Sequence, residues 1–266
     1  MKKLFSFFLC LFYLLGQNKP LVKYTVSTGI YDTLSLVSFD TSLIQGKTNF
    51  NFGIDTLIEI LPQTAPTQNI FQNTLFTRKR KASLDFDLNK YPIRTAIKLF
   101  NEDDDTLADN CSGIMISKKH VLTAAHCFLN FVTDSINNDS ILACPVYDNG
   151  NFNTRFNCSY VNHIYYFDDW NFGGEDIAVL ELNDSIGLKT GWVGIGFDKV
   201  DSSILNGTFF KFSYPSITLT RIDTNSYNGD TIYYNYGIAD LANQLNIGIY
   251  NTKWYPRRKW KFPLKN

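Results

Sequence analysis

The clearest hydrophobic pattern in the chain lies between two cysteines, Cys111 and Cys127. Two apolar runs, 113–116 and 121–125, are separated by the polar corner Ser-Lys-Lys-His, a pattern typical of a β-hairpin. Because the cysteines bracket the hairpin, a disulfide between them would join its two ends. His126 would then lie at the open end of the hairpin, next to the disulfide.

Short runs of alternating apolar and polar residues continue along most of the chain. Examples are 22–26, 91–100, 160–165 and 177–182, and turns rich in Gly, Asn and Asp divide them. Helical periodicity is almost absent, so the pattern predicts an all-β protein, either a barrel or a sandwich. The strand candidates of the second half are 192–196, 209–214, 217–220, 231–235 and 246–250.

Composition limits the class of protein but not its partner. The 266 residues are 44% hydrophobic and 15% aromatic, enough to bury a sizeable core and too apolar for a disordered chain. One large domain or two modest domains fit this length. Lys and Arg number 25 in total, as do Asp and Glu, so no net field points to nucleic acid or to an anionic membrane surface.

The first sixteen residues have the composition of a targeting segment. Two lysines precede the apolar run 4–15, which is shorter than the roughly 20 residues that span a bilayer. We predict that 1–16 is a signal peptide and that the mature protein is secreted, with no membrane attachment after cleavage. The alternative is an N-terminal membrane anchor. Cys10 lies within the apolar run and is therefore left out of the disulfide count.

Four cysteines remain in the secreted chain, and three pairings of them are possible in principle. The spacing favours a bridge between Cys111 and Cys127 across the hairpin, which leaves Cys144 to pair with Cys158. The second bridge would close a loop rich in Asn and Gly. A metal site at these cysteines is disfavoured, because the sequence has no CxxC pair and no cluster of histidines.

Two motifs carry a resemblance to a known family. Thr-Ala-Ala-His-Cys occupies 123–127, and Asp-Ile-Ala-Val-Leu occupies 176–180 at the start of a predicted strand. Together they resemble the trypsin-like serine proteases, over roughly 91–256. The resemblance implies two six-stranded β-barrels with the active site between them, and it also matches a Cys111–Cys127 bridge beside the base. The second barrel is short of strands and is predicted to be incomplete at the C-terminus.

The same resemblance assigns catalytic roles to His126 and Asp176. A serine hydroxyl is a weak nucleophile, so a histidine base must accept its proton and a carboxylate must orient that histidine. His126 is the candidate base, and Asp176 is the candidate orienting group. The other two histidines, His120 in the hairpin turn and His163 in a strand, are interpreted as structural or solvated.

The third member of the triad, the nucleophilic serine, is missing from the sequence. No Gly-[Asp/Glu]-Ser-Gly box occurs, and at the expected distance from Asp176 stands the basic, aperiodic stretch 254–266. If the codons AGG, AGA, AAG, TGG and AAG encode residues 257–261, reading one base later gives Gly-Glu-Ser-Gly-Ser. Our hypothesis is a frameshift near Pro256, with the serine falling where Lys259 stands.

These observations predict four segments. Residues 1–16 are the signal peptide, and 17–90 are a pro-region or an accessory β segment. Residues 91–256 are the incomplete peptidase domain, and 257–266 are an aberrant tail. The basic run at 78–81 is either an activation cleavage site or the charge run of a solvated loop.

Three functions are compatible with the sequence. The first is a secreted serine endopeptidase by descent, acting on polypeptides, that is inactive as written because the serine is missing. The second is a non-catalytic relative that binds peptides or a partner, and the third is an extracellular structural or adhesion protein. The motifs favour the first, because a dedicated binding protein would be expected to complete its barrel. We expect the protein to bind no cofactor, metal ion or nucleic acid. The sequence does not predict its oligomeric state or its cleavage specificity.

Overall fold

The protein is described by a computed structural model over residues 20–35, 45–63, 77, 79–103, 106–129, 135–136, 140–168, 176–198, 208–216 and 227–237. Strands dominate these residues, as the alternating pattern predicts, and the one α-helix among them is the single turn α1 (Gly187–Thr190). No helix within these ranges is both long enough and apolar enough to cross a membrane. The predicted signal peptide and the predicted aberrant tail lie outside the described residues.

The strands pair in antiparallel fashion. Strands β1 to β7 are Leu21–Thr25, Ile30–Leu34, Gln45–Lys47, Arg80–Lys81, Ala96–Asp103, Thr106–Met115 and His120–Thr123. Strands β8 to β13 are Ile141–Pro145, Ser159–Phe167, Ala178–Leu182, Gly196–Asp198, Phe209–Ser213 and Tyr233–Gly237. Short 3-10 helices lie at Ala82–Leu84, Ile93–Thr95 and Ala125–Cys127. The all-β prediction is confirmed.

Six strands close into a barrel in the order β5, β6, β7, β10, β9 and β8, and β8 pairs back to β5. Buried and half-buried residues alternate along β7 and β10, so one face of each strand points inward. Ile97, Leu99, Val121, Ile164 and Leu180 fill the interior, each at most 1% exposed. Burying each such side chain contributes roughly 1.5–3 kcal/mol, so the barrel interior is the main core of the first half.

The N-terminal hairpin of β1 and β2 extends the barrel sheet. Strand β9 is nine residues long, and it pairs with β8 near its start and with β1 towards its end, where Thr25 lies opposite His163. Val22 and Tyr24 on β1 pack into the barrel core. Part of the segment predicted as a pro-region or accessory β segment is therefore built into the same sheet as the barrel.

A second, smaller sheet consists of β12, β13 and β4. It packs on a separate core that includes the fully buried Ile232. The strands predicted at 209–214 and 231–235 correspond to β12 and β13, while those predicted at 217–220 and 246–250 lie outside the described residues. Within the described part of the chain this sheet has three strands.

The prediction of a strand at 192–196 is wrong. Trp192 forms an isolated bridge with Asn51, and β11 begins only at Gly196. Gly191 has a φ of +75°, and a Cβ at this position would lie 2.3 Å from the carbonyl oxygen of Asn51. The segment runs against the backbone of an N-terminal stretch that is distant in sequence, so the alternating pattern alone could not predict its pairing.

A buried arginine joins that N-terminal stretch to the barrel. Arg94 is 0% exposed, and its guanidinium donates to the carbonyl oxygens of Phe52, Asp55, Asn89 and Thr190. It also forms an ion pair of 2.5 Å with the Asp55 carboxylate. A buried charge is tolerated only when its donors are satisfied, so these contacts hold both chain segments in place.

The Asp55 carboxylate is held by two arginines. Arg94 contacts Oδ1 of Asp55 at 2.5 Å, and Arg155 contacts Oδ2 at 2.5 Å. Burial opposes ionisation of this carboxyl, but the hydrogen bond from Arg94, the backbone N–H of Leu57 and the two arginine charges together lower its pKa below the usual 3.8. The carboxylate therefore stays charged and bridges residues on three separate segments.

Two residues of the basic run lie in the second sheet. Arg80 and Lys81 form β4 and pair with β13. The next residue, Ala82, is fully buried, and its N–H donates to the carbonyl oxygen of Ile232 at 2.9 Å. Cleavage of the chain at Arg80 or Lys81 would require this strand to open.

Candidate active site

The chain topology brings His126 and Asp176 together. Strands β7 and β10 are antiparallel, and Thr123 at the end of β7 lies opposite Ala178 at the start of β10. His126 follows β7 by three residues, in the 3-10 turn Ala125–Cys127, and Asp176 precedes β10 by two. Because the end of one strand lies beside the start of the other, both residues sit at the same rim of the barrel.

The two residues that flank His126 in the sequence fix its position. Ala125 is fully buried in the barrel core, and Cys127 is joined to Cys111 on β6 by a disulfide. The sequence pattern predicts this bridge across the hairpin ends. A second disulfide joins Cys144 on β8 to Cys158, the residue before β9, and closes the loop between those strands.

Both oxygens of the Asp176 carboxylate contact His126. The ring Nδ1 lies 2.7 Å from Oδ2, and the backbone N–H of His126 donates to Oδ1 at 2.9 Å. A carboxylate accepts only, so the neutral ring donates from Nδ1 and its Nε2 is left as a proton acceptor. The side chains are 61% and 49% exposed, so the pair is open to solvent on the rim.

No nucleophile completes this pair within the described residues. No hydrogen bond between described residues involves Nε2 of His126, and position 259, where the frameshift hypothesis places the serine, lies outside them. Ser112 is close in sequence to the hairpin cysteine, but its Oγ accepts the backbone N–H of Tyr214 at 2.8 Å. The Ser112–Tyr214 contact joins β6 to the segment after β12, a link between the two halves that the sequence pattern did not reveal.

The tyrosine in this link is deeply buried. Tyr214 is 3% exposed, and burial raises the pKa of its phenol well above the usual 10.0, with the nearby Asp148 charge adding to the effect. The phenol therefore stays neutral at physiological pH. A backbone hydrogen bond with Tyr147 opposes this shift but does not outweigh it.

The other two histidines make contacts away from the rim pair. His120 Nδ1 lies 2.7 Å from the hydroxyl of Ser117 within the hairpin turn. His163 lies on β9 and packs near Tyr165, with ring centroids 6.3 Å apart. Neither histidine is bonded to Asp176, so of the three histidines in the chain the geometry selects His126 as the candidate base.

The cysteines beside the base do not provide a metal site. The donor atoms of Cys111, His126 and Cys127 all lie within 4.8 Å of one another. Both sulfurs, however, are consumed by the disulfide between the two cysteines. Zinc binds the thiolate form of cysteine, which these residues do not offer.

A histidine oriented by a carboxylate at the rim of a six-stranded β-barrel is the arrangement that trypsin-type serine peptidases use for two of their three triad members. The sequence profile of the Trypsin family matches residues 87–208 of the chain. This range contains the hairpin, His126 and Asp176. The part of the chain that the profile covers, somewhat less than half of its 266 residues, is similar to the trypsin-like serine proteases.

Curated relatives are named as inactive proteins. The chain is 35% identical over 94 residues to "Inactive serine protease 35" of Homo sapiens and 38% identical over 93 residues to that of Macaca mulatta. Each match covers 30% of this chain and 21% of the relative. The chain therefore matches about a fifth of the length of these relatives.

Solved structures with a similar arrangement include two proteases. "Structure of Glu endopeptidase in complex with MPD" is 16% identical, with a TM-score of 0.45, over 60% of this chain and 67% of that one. "Crystal Structure of Protease Anisep from Arthrobacter Nicotinovorans" is 20% identical, with a TM-score of 0.44, over 57% and 67% of the two chains.

Proposed function

We propose that this protein is a secreted member of the trypsin-like family that retains the catalytic base and its orienting carboxylate but hydrolyses no peptide bonds as a 266-residue chain. The observation that carries the proposal is the bonded His126–Asp176 pair in a sequence without a Gly-[Asp/Glu]-Ser-Gly box. The names of its relatives, "Inactive serine protease 35", support the same conclusion.

The chemistry explains why two members of the triad are insufficient. His126 can accept a proton at Nε2, and Asp176 can stabilise the imidazolium that results. Acyl transfer also needs a hydroxyl within about 3 Å of that nitrogen and donors for the oxyanion. Loss of the serine in an enzyme of this mechanism lowers kcat by a factor on the order of 10⁶.

Secretion is proposed from the disulfides and the N-terminal pattern. Bridges such as Cys111–Cys127 and Cys144–Cys158 persist in oxidising compartments and are rare in the cytosol. The apolar run after two lysines has the features of a cleaved signal peptide. Mass spectrometry of the mature N-terminus and of the culture medium tests this; a chain retained in the cell with an intact residue 1 would contradict it.

The peptidase proposal is tested with an activity-based probe. A fluorophosphonate reacts with a serine only when a base activates it. We expect no labelling of the full chain and the same background for wild type and His126→Ala. Labelling that disappears in His126→Ala would overturn the proposal, and peptide mapping of the labelled residue would identify the nucleophile.

An active endopeptidase is the second candidate, and the codon argument supports it. One base shift across residues 257–261 gives Gly-Glu-Ser-Gly-Ser for one choice of codons. Sequencing the coding DNA across these codons and beyond the codon for Asn266 decides between the candidates. A corrected frame that continues in strand-like sequence would establish the endopeptidase; the absence of such a frame would leave a protein that acts by binding a polypeptide.

A further inference from the structure

Two asparagines beside paired strands stand in the acceptor motif of N-linked glycosylation. Asn157 begins Asn-Cys-Ser, and Asn183 begins Asn-Asp-Ser. An asparagine two positions before a serine or threonine, with any residue except proline between them, is the acceptor of such glycans. The motif also begins at 110, 138 and 206, where the side chains lie outside the part of the chain that the structure describes.

Antiparallel pairing brings the two described motifs to one end of the barrel. Asn157 precedes β9 by two residues, and Asn183 follows β10 directly. The N–H of Asn183 donates to the carbonyl oxygen of Tyr160 on β9 at 2.9 Å. Asp176, which bonds the candidate base, precedes the other end of β10, and the five residues of this strand span roughly 13 Å. A group attached to either asparagine would therefore lie at the end of the barrel opposite the rim pair.

Both asparagine side chains are exposed and available for attachment. Asn157 has a φ of +48°, in the left-handed region that asparagine adopts more readily than most other residues. Within the described ranges, neither side-chain amide takes part in a hydrogen bond. A substituent on Nδ2 of Asn157 or Asn183 therefore breaks no contact in this part of the fold.

Other residues of the two motifs are fixed by folding. Ser159 is 2% exposed, its hydroxyl accepts the N–H of Asp184 at 2.9 Å, and it donates to Oδ2 of Asp184 at 3.1 Å. The serine of the first motif is thus bonded to the middle residue of the second. Cys158, the middle residue of the first motif, is bridged to Cys144. A transferring enzyme that must contact the serine hydroxyl can therefore act only before the chain folds.

We propose that Asn157 and Asn183 carry N-linked glycans, added to the unfolded chain as it enters the secretory pathway. This proposal rests on the proposed secretion of the protein. Glycans are bulky and hydrophilic and remain on the surface of a folded protein. They would cover the end of the barrel where Tyr160 is 45% exposed, and they would leave the rim that carries His126 open.

The modification is a glycosyl transfer from a lipid-linked oligosaccharide diphosphate. A bond forms between Nδ2 of the asparagine and the anomeric carbon of the first sugar, and the bond between that carbon and the diphosphate breaks. The amide nitrogen loses one proton to a base, and the lipid diphosphate leaves with the electron pair. The amide is neutral before and after transfer, so the reaction adds no charge beside Asp184.

Mass spectrometry of the full chain secreted by eukaryotic cells tests the proposal. Peptide N-glycosidase in H₂¹⁸O converts a glycan-bearing asparagine to ¹⁸O-labelled aspartate, and the label acquired without the glycosidase is subtracted. We expect label at Asn157 and Asn183. The matched control is Asn149, which is also exposed and has a φ of +51°, but which has Asn151 two positions later instead of a hydroxyl residue. Asn149 should remain unlabelled.

Two variants test whether the label depends on the motif. Ser185→Ala removes the hydroxyl that transfer requires, and this hydroxyl makes no hydrogen bond among the described residues. Label at Asn183 should then fall to background while label at Asn157 is unchanged, and Ser185→Thr should retain both. Asn157→Asp keeps the size of the side chain and tolerates a positive φ, so it should remove only the label at 157.

Failure of glycosylation and failure of secretion give different results. A chain in the medium with a processed N-terminus but no label at either asparagine would overturn the glycosylation proposal alone. A chain retained in the cell with an intact residue 1 would overturn both proposals. Label at one asparagine only would overturn the assignment of the other, and label at Asn183 that persists in Ser185→Ala would show that it does not arise from the motif.

Discussion

Asp176 accepts hydrogen bonds from both the ring Nδ1 and the backbone N–H of the same residue, His126. One carboxylate thus positions the imidazole and also fastens the 3-10 turn that carries it. The two side chains are exposed, so water competes for this contact and it contributes little stability by itself. The geometry depends on the antiparallel pairing of β7 and β10, which brings the two residues to the same rim.

The first prediction concerns this backbone contact. Asp176→Ala should speed exchange of the His126 amide hydrogen by roughly 3- to 10-fold, since a hydrogen bond to a charged acceptor is lost at an exposed site. Hydrogen-exchange mass spectrometry of a peptide covering the hairpin measures it. Asp184→Ala, which removes a carboxylate bonded to Ser159 elsewhere, is the control and should leave this exchange unchanged. Equal exchange in both variants would show that the turn does not rely on Asp176.

The second prediction concerns the buried Arg94. Arg94→Met should lower the free energy of unfolding by about 3–5 kcal/mol, because it leaves the Asp55 carboxylate and several buried carbonyl groups without their donor. Arg155→Met removes the other arginine from the same carboxylate, but that side chain is 40% exposed, so the loss should stay below about 1 kcal/mol. Urea unfolding measures both. If the two variants lose the same free energy of unfolding, the burial of Arg94 does not make its contacts more stabilising than those of Arg155.

The third prediction concerns acid stability. The pKa of Asp55 is lower in the folded chain than its usual 3.8, so the ionised form stabilises the fold above that pH. The contribution is lost as the pH falls through the folded value, and stability should decrease below about pH 4. Urea unfolding from pH 3 to pH 7 should show a smaller decrease for Asp55→Asn than for wild type. Parallel curves would mean that other carboxyls dominate the acid transition.

The fourth prediction concerns cleavage at the basic run. Residues 21–25 pair with β9, and Asp55 is held by Arg94, so the N-terminal part should remain bound after the chain is cut. Digestion with a protease specific for paired basic residues, followed by gel filtration, tests this. The fragments should elute together in buffer and separate in denaturant. The four cysteines of the two bridges all follow the cut, so any association is non-covalent.

An N-terminal fragment that elutes in buffer later than, and apart from, the larger C-terminal fragment would contradict this prediction. It would instead support the interpretation of residues 17–90 as a removable pro-region. Slow cleavage is expected in either case, because Arg80 and Lys81 are strand residues and Ala82 is fully buried. Arg94→Met again provides the comparison, since it should loosen the fragment after cleavage without altering the basic run.

Features that depend on neighbouring residues in the sequence could be predicted without the structure. The hairpin between Cys111 and Cys127 and the strand after Asp176 follow from alternating polarity, which reports which face of a strand is buried. The pairing of the cysteines followed from the same local pattern. The motifs that predict His126 and Asp176 as site residues also include parts of the strands beside them, and the structure brings the two side chains together.

Features that depend on strand order and register needed the tertiary structure. The sequence separates Asn157 and Asn183 widely, and only the pairing of β9 with β10 brings them to one end of the barrel. Arg94 looks like one more surface charge in a strand pattern, yet it is fully buried among carbonyl groups from distant segments. Local periodicity determines which residues a strand buries, whereas long-range pairing determines which side chains meet, and the second is not encoded in any short stretch of the chain.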